Sequence, residues 1–203
     1  MKRIKEIFYS LQGEGAHTGV PAVFVRFSGC NLRCTFCDTD HADGVEMTDS
    51  EIVAYINTYP CEWIILTGGE PSLWIDEAFI HTLHIGTGKK IAIETNGTRP
   101  LPAMIDWVTL SPKFGMTLPS SAAEAANLRL QRADEVKVVD IGQDLEPYFH
   151  LPQVGSNTLM FLQPCWVADS AEAEANEKRT VARVLADPRW RLSVQLHRKL
   201  GIE

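Results

Sequence analysis

Seven short apolar runs dominate the chain: Ala22–Ser28, Trp63–Thr67, Lys90–Thr95, Trp107–Leu110, Glu135–Val139, Thr158–Leu162 and Leu192–Leu196. What separates them is too long for hairpin turns and reads in several places as helix. Thr48-Asp49-Ser50-Glu51 is a capping box opening a helix toward Tyr59, because Thr48 can accept from the Glu51 amide while the Glu51 carboxylate reaches back. Trp74–Leu83 and Ala171–Leu185 are also helical in pattern, the second stopped by Pro188. Strands that alternate with helices must pair in parallel, since parallel neighbours need a crossover connection. A closed eight-fold barrel usually takes ~250 residues. A chain of 203 residues with six or seven strands therefore predicts an α/β fold, an open partial (β/α) barrel of about six parallel strands. No repeat, low-complexity tract or long linker divides it, so residues 1–203 read as a single domain.

In such folds ligands sit at the C-terminal edge of the sheet. Strand ends here read Ser28-Gly29-Cys30, Thr67-Gly68-Gly69-Glu70-Pro71, Glu94-Thr95-Asn96-Gly97, Ser111-Pro112-Lys113 and Gln163-Pro164-Cys165. Any one of these is an ordinary turn; five at one edge predict a site. Net charge sets limits on its partners. At −7, a general nucleic-acid surface is excluded, although a nucleotide-like small molecule is not. No apolar run approaches the roughly 18 residues of a membrane span, and no apolar stretch follows Lys2 and Arg3 to make a signal peptide. The expected location is cytoplasmic.

Five cysteines fit that expectation poorly as disulfides, being odd in number. Three of them form Cys30-Asn31-Leu32-Arg33-Cys34-Thr35-Phe36-Cys37, the spacing C-x3-C-x2-C. Three thiolates on one loop can each hold one iron of a cubane cluster and leave the fourth iron open. A zinc site completed by Cys61, His41 or Asp38 is the alternative, although zinc ribbons normally pair two C-x2-C knuckles and only one is present.

The cysteine spacing, Phe36 before the last cysteine, and Thr67-Gly68-Gly69-Glu70-Pro71 together resemble the radical S-adenosylmethionine (SAM) superfamily. Within it, Ser10-Leu11-Gln12-Gly13-Glu14-Gly15, the segment Gly19 to Cys34, Cys37-Asp38-Thr39, Glu94-Thr95-Asn96-Gly97 and the tail from Leu192 to Ile202 are similar to the 7-carboxy-7-deazaguanine synthase family. That resemblance runs from residue 4 to the C-terminus. It implies a radical SAM lyase that converts 6-carboxy-5,6,7,8-tetrahydropterin to 7-carboxy-7-deazaguanine with loss of ammonia, a step toward queuosine. The implied cofactors are a 4Fe–4S cluster on Cys30, Cys34 and Cys37, SAM, and Mg2+.

Residue roles follow from the same resemblance. SAM would meet Phe36, Cys37, Asp38 and Gly69, with Ser111, Pro112 and Lys113 and then Gln163, Pro164, Cys165 and Trp166 flanking its ribose and adenine. Cys165 and Trp166 depart from the Met and Asp usual in the family, which puts the adenine contacts of that segment in question; Cys165 also suits packing. The pterin would meet Leu11, Gln12, Gly13, Arg26, Thr67 and the terminal Glu203, with Glu14 at its edge and His197 nearby. Thr39 would be the Mg2+ ligand, its hydroxyl facing the substrate carboxylate. Arg26 lies on one strand face with Phe24 and Ser28, and periodicity leaves that face open between the inside and a surface pairing with Asp38 or Asp40. The expected partners are the pterin, flavodoxin or ferredoxin as reductant, and a second copy in a homodimer. Two other readings share these residues: an activase of a glycyl-radical enzyme, and a zinc-stabilised module without catalysis.

Overall fold

A computed structural model describes residues 1–203. One nine-stranded sheet runs through it in the order β3-β1-β2-β4-β5-β6-β7-β8-β9. The strands are β1 (Lys2–Leu11), β2 (Pro21–Phe27), β3 (Val45–Met47), β4 (Trp63–Gly68), β5 (Lys90–Thr95), β6 (Trp107–Leu110), β7 (Glu135–Asp140), β8 (Leu159–Pro164) and β9 (Arg191–Leu192). From β2 to β9 every pairing is parallel. β1 pairs antiparallel with both β2 and β3. The helices are α1 (Asp49–Ile56), α2 (Glu77–Thr87), α3 (Ala122–Ala125), α4 (Ser170–Ala186) and α5 (Leu196–Leu200). β3 and β9 stand at the two ends of the order and do not pair with each other, so the barrel is open, as the strand count implied.

Strand alternation separates two faces. Val23, Val25 and Phe27 of β2 join Ile64 and Leu66, Ile91 and Ile93, Val136 and Val138 in the main core, against Ile52 and Ile56 of α1 and Phe79, Ile80 and Leu83 of α2. Burying each such side chain stabilises the fold by about 1.5–3 kcal/mol. Residues of opposite parity turn inward, where Ala22, Phe24, Ile65 and Ala92 form a small second cluster with Phe8, Trp63 and Trp107. Beyond that cluster, toward the strand ends, the inward positions become polar.

Residues 12–18 close the other end. The Gly15 amide donates to Ser193 Oγ (3.1 Å) and the Ala16 amide to Glu135 Oε2 (2.9 Å). His17 sits between Trp63 and Trp107, the first residues of β4 and β6, with ring centroids 4.4 and 4.8 Å away. The inward face is thereby plugged at its N-terminal end and open at its C-terminal end.

Several expected elements shift. The Thr48 capping box is present, with Thr48 and Glu51 exchanging both bonds. α2 begins at Glu77 rather than Trp74, because Asp76 accepts from the Phe79 amide (2.8 Å) and caps it, while Pro71–Leu73 forms a separate 3-10 turn. The expected strand Leu192–Leu196 is wrong: only Arg191–Leu192 pairs, and Leu196 opens α5. β1 was not anticipated as a strand. A register irregularity between Ile4 and Glu6 breaks its alternation, so neither face reads as apolar.

Candidate active site

A cavity of about 730 Å3 opens at the C-terminal edge of the inward face. Its wall is one layer of inward-pointing strand residues: Arg26 of β2, Thr67 of β4, Glu94 of β5, Ser111 just after β6, Lys137 and Val139 of β7, and Gln163 of β8. Strand parity, together with the register of the parallel pairs, puts them there. Arg26 therefore faces inward, and its ion-pair partner is Glu6 (2.7 Å) rather than Asp38 or Asp40; its guanidinium lies 5.4 Å from the Phe8 ring. Asp40 is instead held by Lys5 (2.7 Å).

Below the open mouth the layer is knitted together. Lys137, 7% exposed at its side chain, is ion-paired with Glu14 and lies 3.4 Å from Glu94. Glu94 also accepts from Gln12 Nε2 (3.0 Å) and Thr67 Oγ1 (3.1 Å). Gln163 donates to Glu14 (3.1 Å) and accepts from Ser193 (2.9 Å). Burial pushes the Lys137 ammonium down, but Glu14 and Glu94 outweigh it and keep the group charged. The reverse holds for Glu94: burial pushes the carboxyl up, while Lys137, Gln12 and Thr67 together hold it below the usual carboxylate range. Deeper still, burial raises Glu135, which accepts from Thr109 (2.8 Å).

The three clustered cysteines follow β2 on a loop whose thiols all line the cavity, none in a disulfide. Asn31 fastens the loop by donating to Thr98 (2.8 Å) and accepting from Asn96 (3.1 Å). Glu70, 1% exposed, is the buried anchor beside it, accepting from the Thr95 hydroxyl (2.7 Å) and the Asn96 amide (2.8 Å) while its own amide donates to Gly29 (2.9 Å). Gly69 must be glycine for a reason beyond approach to a ligand. A Cβ there would lie 1.9 Å from the Gly29 carbonyl oxygen, so the cluster loop and the Gly68-Gly69 turn are in backbone contact. Burial pushes the Cys30 thiol up to about 11 and raises Cys34 as well. Thiolates at these positions need a cation beside them, which suits an iron cluster.

No three His, Cys, Asp or Glu side chains converge to hold a single ion. Cys61, offered as a zinc ligand, lies near the start of β4 with its thiol on the Trp63 carbonyl (3.4 Å), at the opposite sheet edge from the cysteine loop. Three thiols on one loop at the cavity suit the irons of a cubane, whereas a closed zinc site needs four ligands on one ion.

Of the other expected residues, Leu11, Gln12, Gly13, Phe36, Asp38, Thr39, Gly69, Ser111, Lys113, Gln163, Pro164, Trp166 and Glu203 line the cavity. Pro112 and Cys165 do not. Cys165 is buried and its carbonyl accepts from Asn176 of α4 (3.0 Å), a packing position. Lys113 rests on Ser111 (2.5 Å) and 5.8 Å from the Phe36 ring, its pKa lowered by burial. Thr39 Oγ1 lies 3.4 Å from Asp38 Oδ1. The chain end closes one side: Ser10 Oγ donates to the Glu203 carbonyl (2.5 Å) and the Leu196 amide to the Gly13 carbonyl (3.0 Å). His197 is packed on Gly13, and burial lowers its pKa. Sequence reasoning missed Lys137, Glu94 as a wall residue, Ser193 and Arg198. The first two were within reach, since the parity that turns Arg26 and Thr67 inward does the same for them.

Comparison with known proteins adds three findings. Residues 24–132 match the model of the radical SAM superfamily. The 7-carboxy-7-deazaguanine synthase of Bacteroides thetaiotaomicron is 54% identical over 202 residues, covering 100% of this chain and 99% of that protein; that of Bradyrhizobium diazoefficiens is 37% identical, covering 98% of each. Among solved structures, QueE from Escherichia coli superposes with a TM-score of 0.74 at 26% identity, over 97% of this chain and 94% of that one.

Proposed function

The chain belongs to the radical SAM superfamily and, within it, to the 7-carboxy-7-deazaguanine synthases, and on that premise we propose how its own residues carry the reaction. It is a radical SAM lyase, and the activity is formation of 7-carboxy-7-deazaguanine, a queuosine precursor, from 6-carboxy-5,6,7,8-tetrahydropterin. The observation that carries the assignment of roles is spatial. Three free thiols and a polar layer of strand ends line one cavity of about 730 Å3, large enough for a cofactor and a flat bicyclic substrate together.

Cys30, Cys34 and Cys37 hold the 4Fe–4S cluster, and the donor set suits it. Bound there with SAM, the cluster supplies a hydrogen-abstracting radical, with flavodoxin or ferredoxin as the external electron source. Phe36, Asp38 and Gly69 lie on the cluster side of the cavity, and Ser111, Lys113, Gln163, Pro164 and Trp166 extend along the later strand ends, a continuous path for SAM. Pro112 and Cys165 are left as supports of that path rather than contacts.

The substrate takes the other side. Arg26 offers a guanidinium to an anionic or carbonyl oxygen, and its Glu6 partner and Phe8 ring fix its direction. Gln12 and Thr67 face the ring, both aligned by Glu94, whose charge Lys137 stabilises. Leu11 and Gly13 contribute backbone groups, and Glu203 closes the mouth. Thr39, adjacent to the cluster loop, supplies a hydroxyl oxygen of the hard type Mg2+ accepts, and the substrate carboxylate would provide the charge. What the protein contributes to ring contraction is orientation of one carbon and exclusion of water. Anaerobic incubation with SAM, dithionite, Mg2+ and the carboxypterin tests this: one ammonia should appear per molecule of 7-carboxy-7-deazaguanine. SAM cleavage without any change in the pterin would exclude the substrate.

A further inference from the structure

α5 contains no buried residue. A helix of five residues with no core under it is held in place only by what its side chains and ends touch, and such a segment opens at low free-energy cost. Its ties run to both sides of the cavity. On the substrate side, the Leu196 amide donates to Gly13 and the Glu203 carbonyl accepts from Ser10. On the cofactor side, Lys199 pairs with Glu177 of α4 (2.5 Å), and the ties to the cysteine loop and to Trp166 centre on Arg198 with Gln195 beside it. Arg198 Nη2 donates to Asp38 (2.8 Å), its Nε to Gln195 (3.0 Å), and its guanidinium lies 4.0 Å from the Trp166 ring. Gln195 donates to the same Asp38 carboxylate (3.1 Å). Asp38 directly follows the last cysteine of the loop, and Trp166 lies in the segment between β8 and α4. One guanidinium thus joins three stretches of chain that lie far apart in sequence.

Resting on the roles assigned above, we propose that Arg198 is a positioning residue through which SAM and the pterin bind cooperatively. SAM orders the loop at Asp38 and the segment at Trp166; the pterin orders the tail at Gly13 and Glu203. Each ligand thereby favours the same closed position of α5, and the second to arrive finds it already formed. A ligand can shift such an equilibrium only by its differential affinity for the closed state, and the coupling must be reciprocal. Trp166 is suited to this because its exposed ring is free for contact on the cavity side while Arg198 occupies it from α5.

Binding can be read without turnover on reconstituted enzyme kept free of reductant, with tryptophan emission as the signal. In the unaltered protein, saturating SAM should tighten the pterin dissociation constant by about 5- to 150-fold, the usual span of such couplings, and saturating pterin should tighten SAM by the same factor. Arg198→Ala should bring both factors to about one while each ligand still binds alone. Arg198→Lys keeps an ion pair with Asp38 but loses the planar fork and should retain an intermediate factor, and it carries the comparison should the alanine variant fail to hold a cluster. Amide exchange should quicken in Arg198→Ala at residues 38–42 as well as 195–202. Full coupling in Arg198→Ala, or independent binding in the unaltered protein, would overturn the proposal while leaving the substrate assignment standing. Failure of the pterin to bind at all would overturn both.

Discussion

Lys137 is the side chain on which the polar layer of the site depends. Replacing it with Met keeps most of the volume and removes the charge, leaving Glu14 and Glu94 facing one another with side chains only 13% and 24% exposed. Removing one partner of a buried ion pair typically costs 3–5 kcal/mol, because the remaining charge is uncompensated. A chain of this size loses roughly 2–4 °C of Tm per kcal/mol, so Lys137→Met should lower Tm by about 6–20 °C. The pH dependence follows from the directions of the shifts. Lys137 is raised, so its contribution is complete below the ordinary lysine pKa and is lost only as pH rises through the folded value. Glu94 is depressed, so its contribution is complete above the ordinary glutamate pKa of ~4.3 and is lost as pH falls through the folded value. The deficit of Lys137→Met should therefore be flat from pH 6 to 9 and shrink in acid, where Glu94 loses its charge. Adding Glu94→Gln should recover part of it. Differential scanning calorimetry across pH 4–9 measures all of this; a Tm loss under 2 °C, or no recovery in the double variant, would refute the coupled layer.

Other outcomes follow from the same geometry. Cys30→Ala, Cys34→Ala or Cys37→Ala should each abolish the cluster, whereas Cys61→Ala and Cys165→Ala should keep four irons per chain by metal analysis. Gly69→Ala should displace the Gly29–Cys30 backbone, since its Cβ has no room, and cluster content after reconstitution should fall with it. Arg26→Ala should weaken pterin binding by roughly ten- to a hundredfold, from about 1.5–3 kcal/mol for a lost charge-assisted hydrogen bond, and leave SAM binding unchanged in titration. Thr39→Ala should blunt the response of turnover to added Mg2+ and Thr39→Ser should keep it.

How much was legible depended on range along the chain. The parallel strands from β2 to β8 were readable because each carries a continuous or alternating apolar run, and Lys90–Thr95 and Trp107–Leu110 match the strands residue for residue. The Thr48 cap was readable because its partner is three residues away. Where a local pattern competes with a neighbour it misled: Trp74 continues an apolar stretch, yet Asp76 is the better cap, and Leu192–Leu196 is apolar enough for a strand that finds no partner past Leu192. The interior polar layer needed one more step, counting parity from strand to strand, which turns Arg26, Thr67, Glu94 and Lys137 to one side. Ties such as Arg198 to Asp38, 160 positions apart, leave no local trace, because two exposed-looking charges in sequence say nothing of who meets whom.

The arrangement of cluster, cofactor and substrate is tested most directly by an anaerobic crystal structure of the reconstituted protein with SAM, the carboxypterin and Mg2+. The expected result has one 4Fe–4S cluster on Cys30, Cys34 and Cys37, SAM on its fourth iron along Gly69, Ser111 and Gln163, and Arg26 against an oxygen of the pterin. Mg2+ should lie ~2.1 Å from Thr39 Oγ1 and bridge to the substrate carboxylate. A cluster with Cys165 or Cys61 as a ligand, or a pterin bound away from the Arg26–Thr67–Glu94 wall, would contradict it.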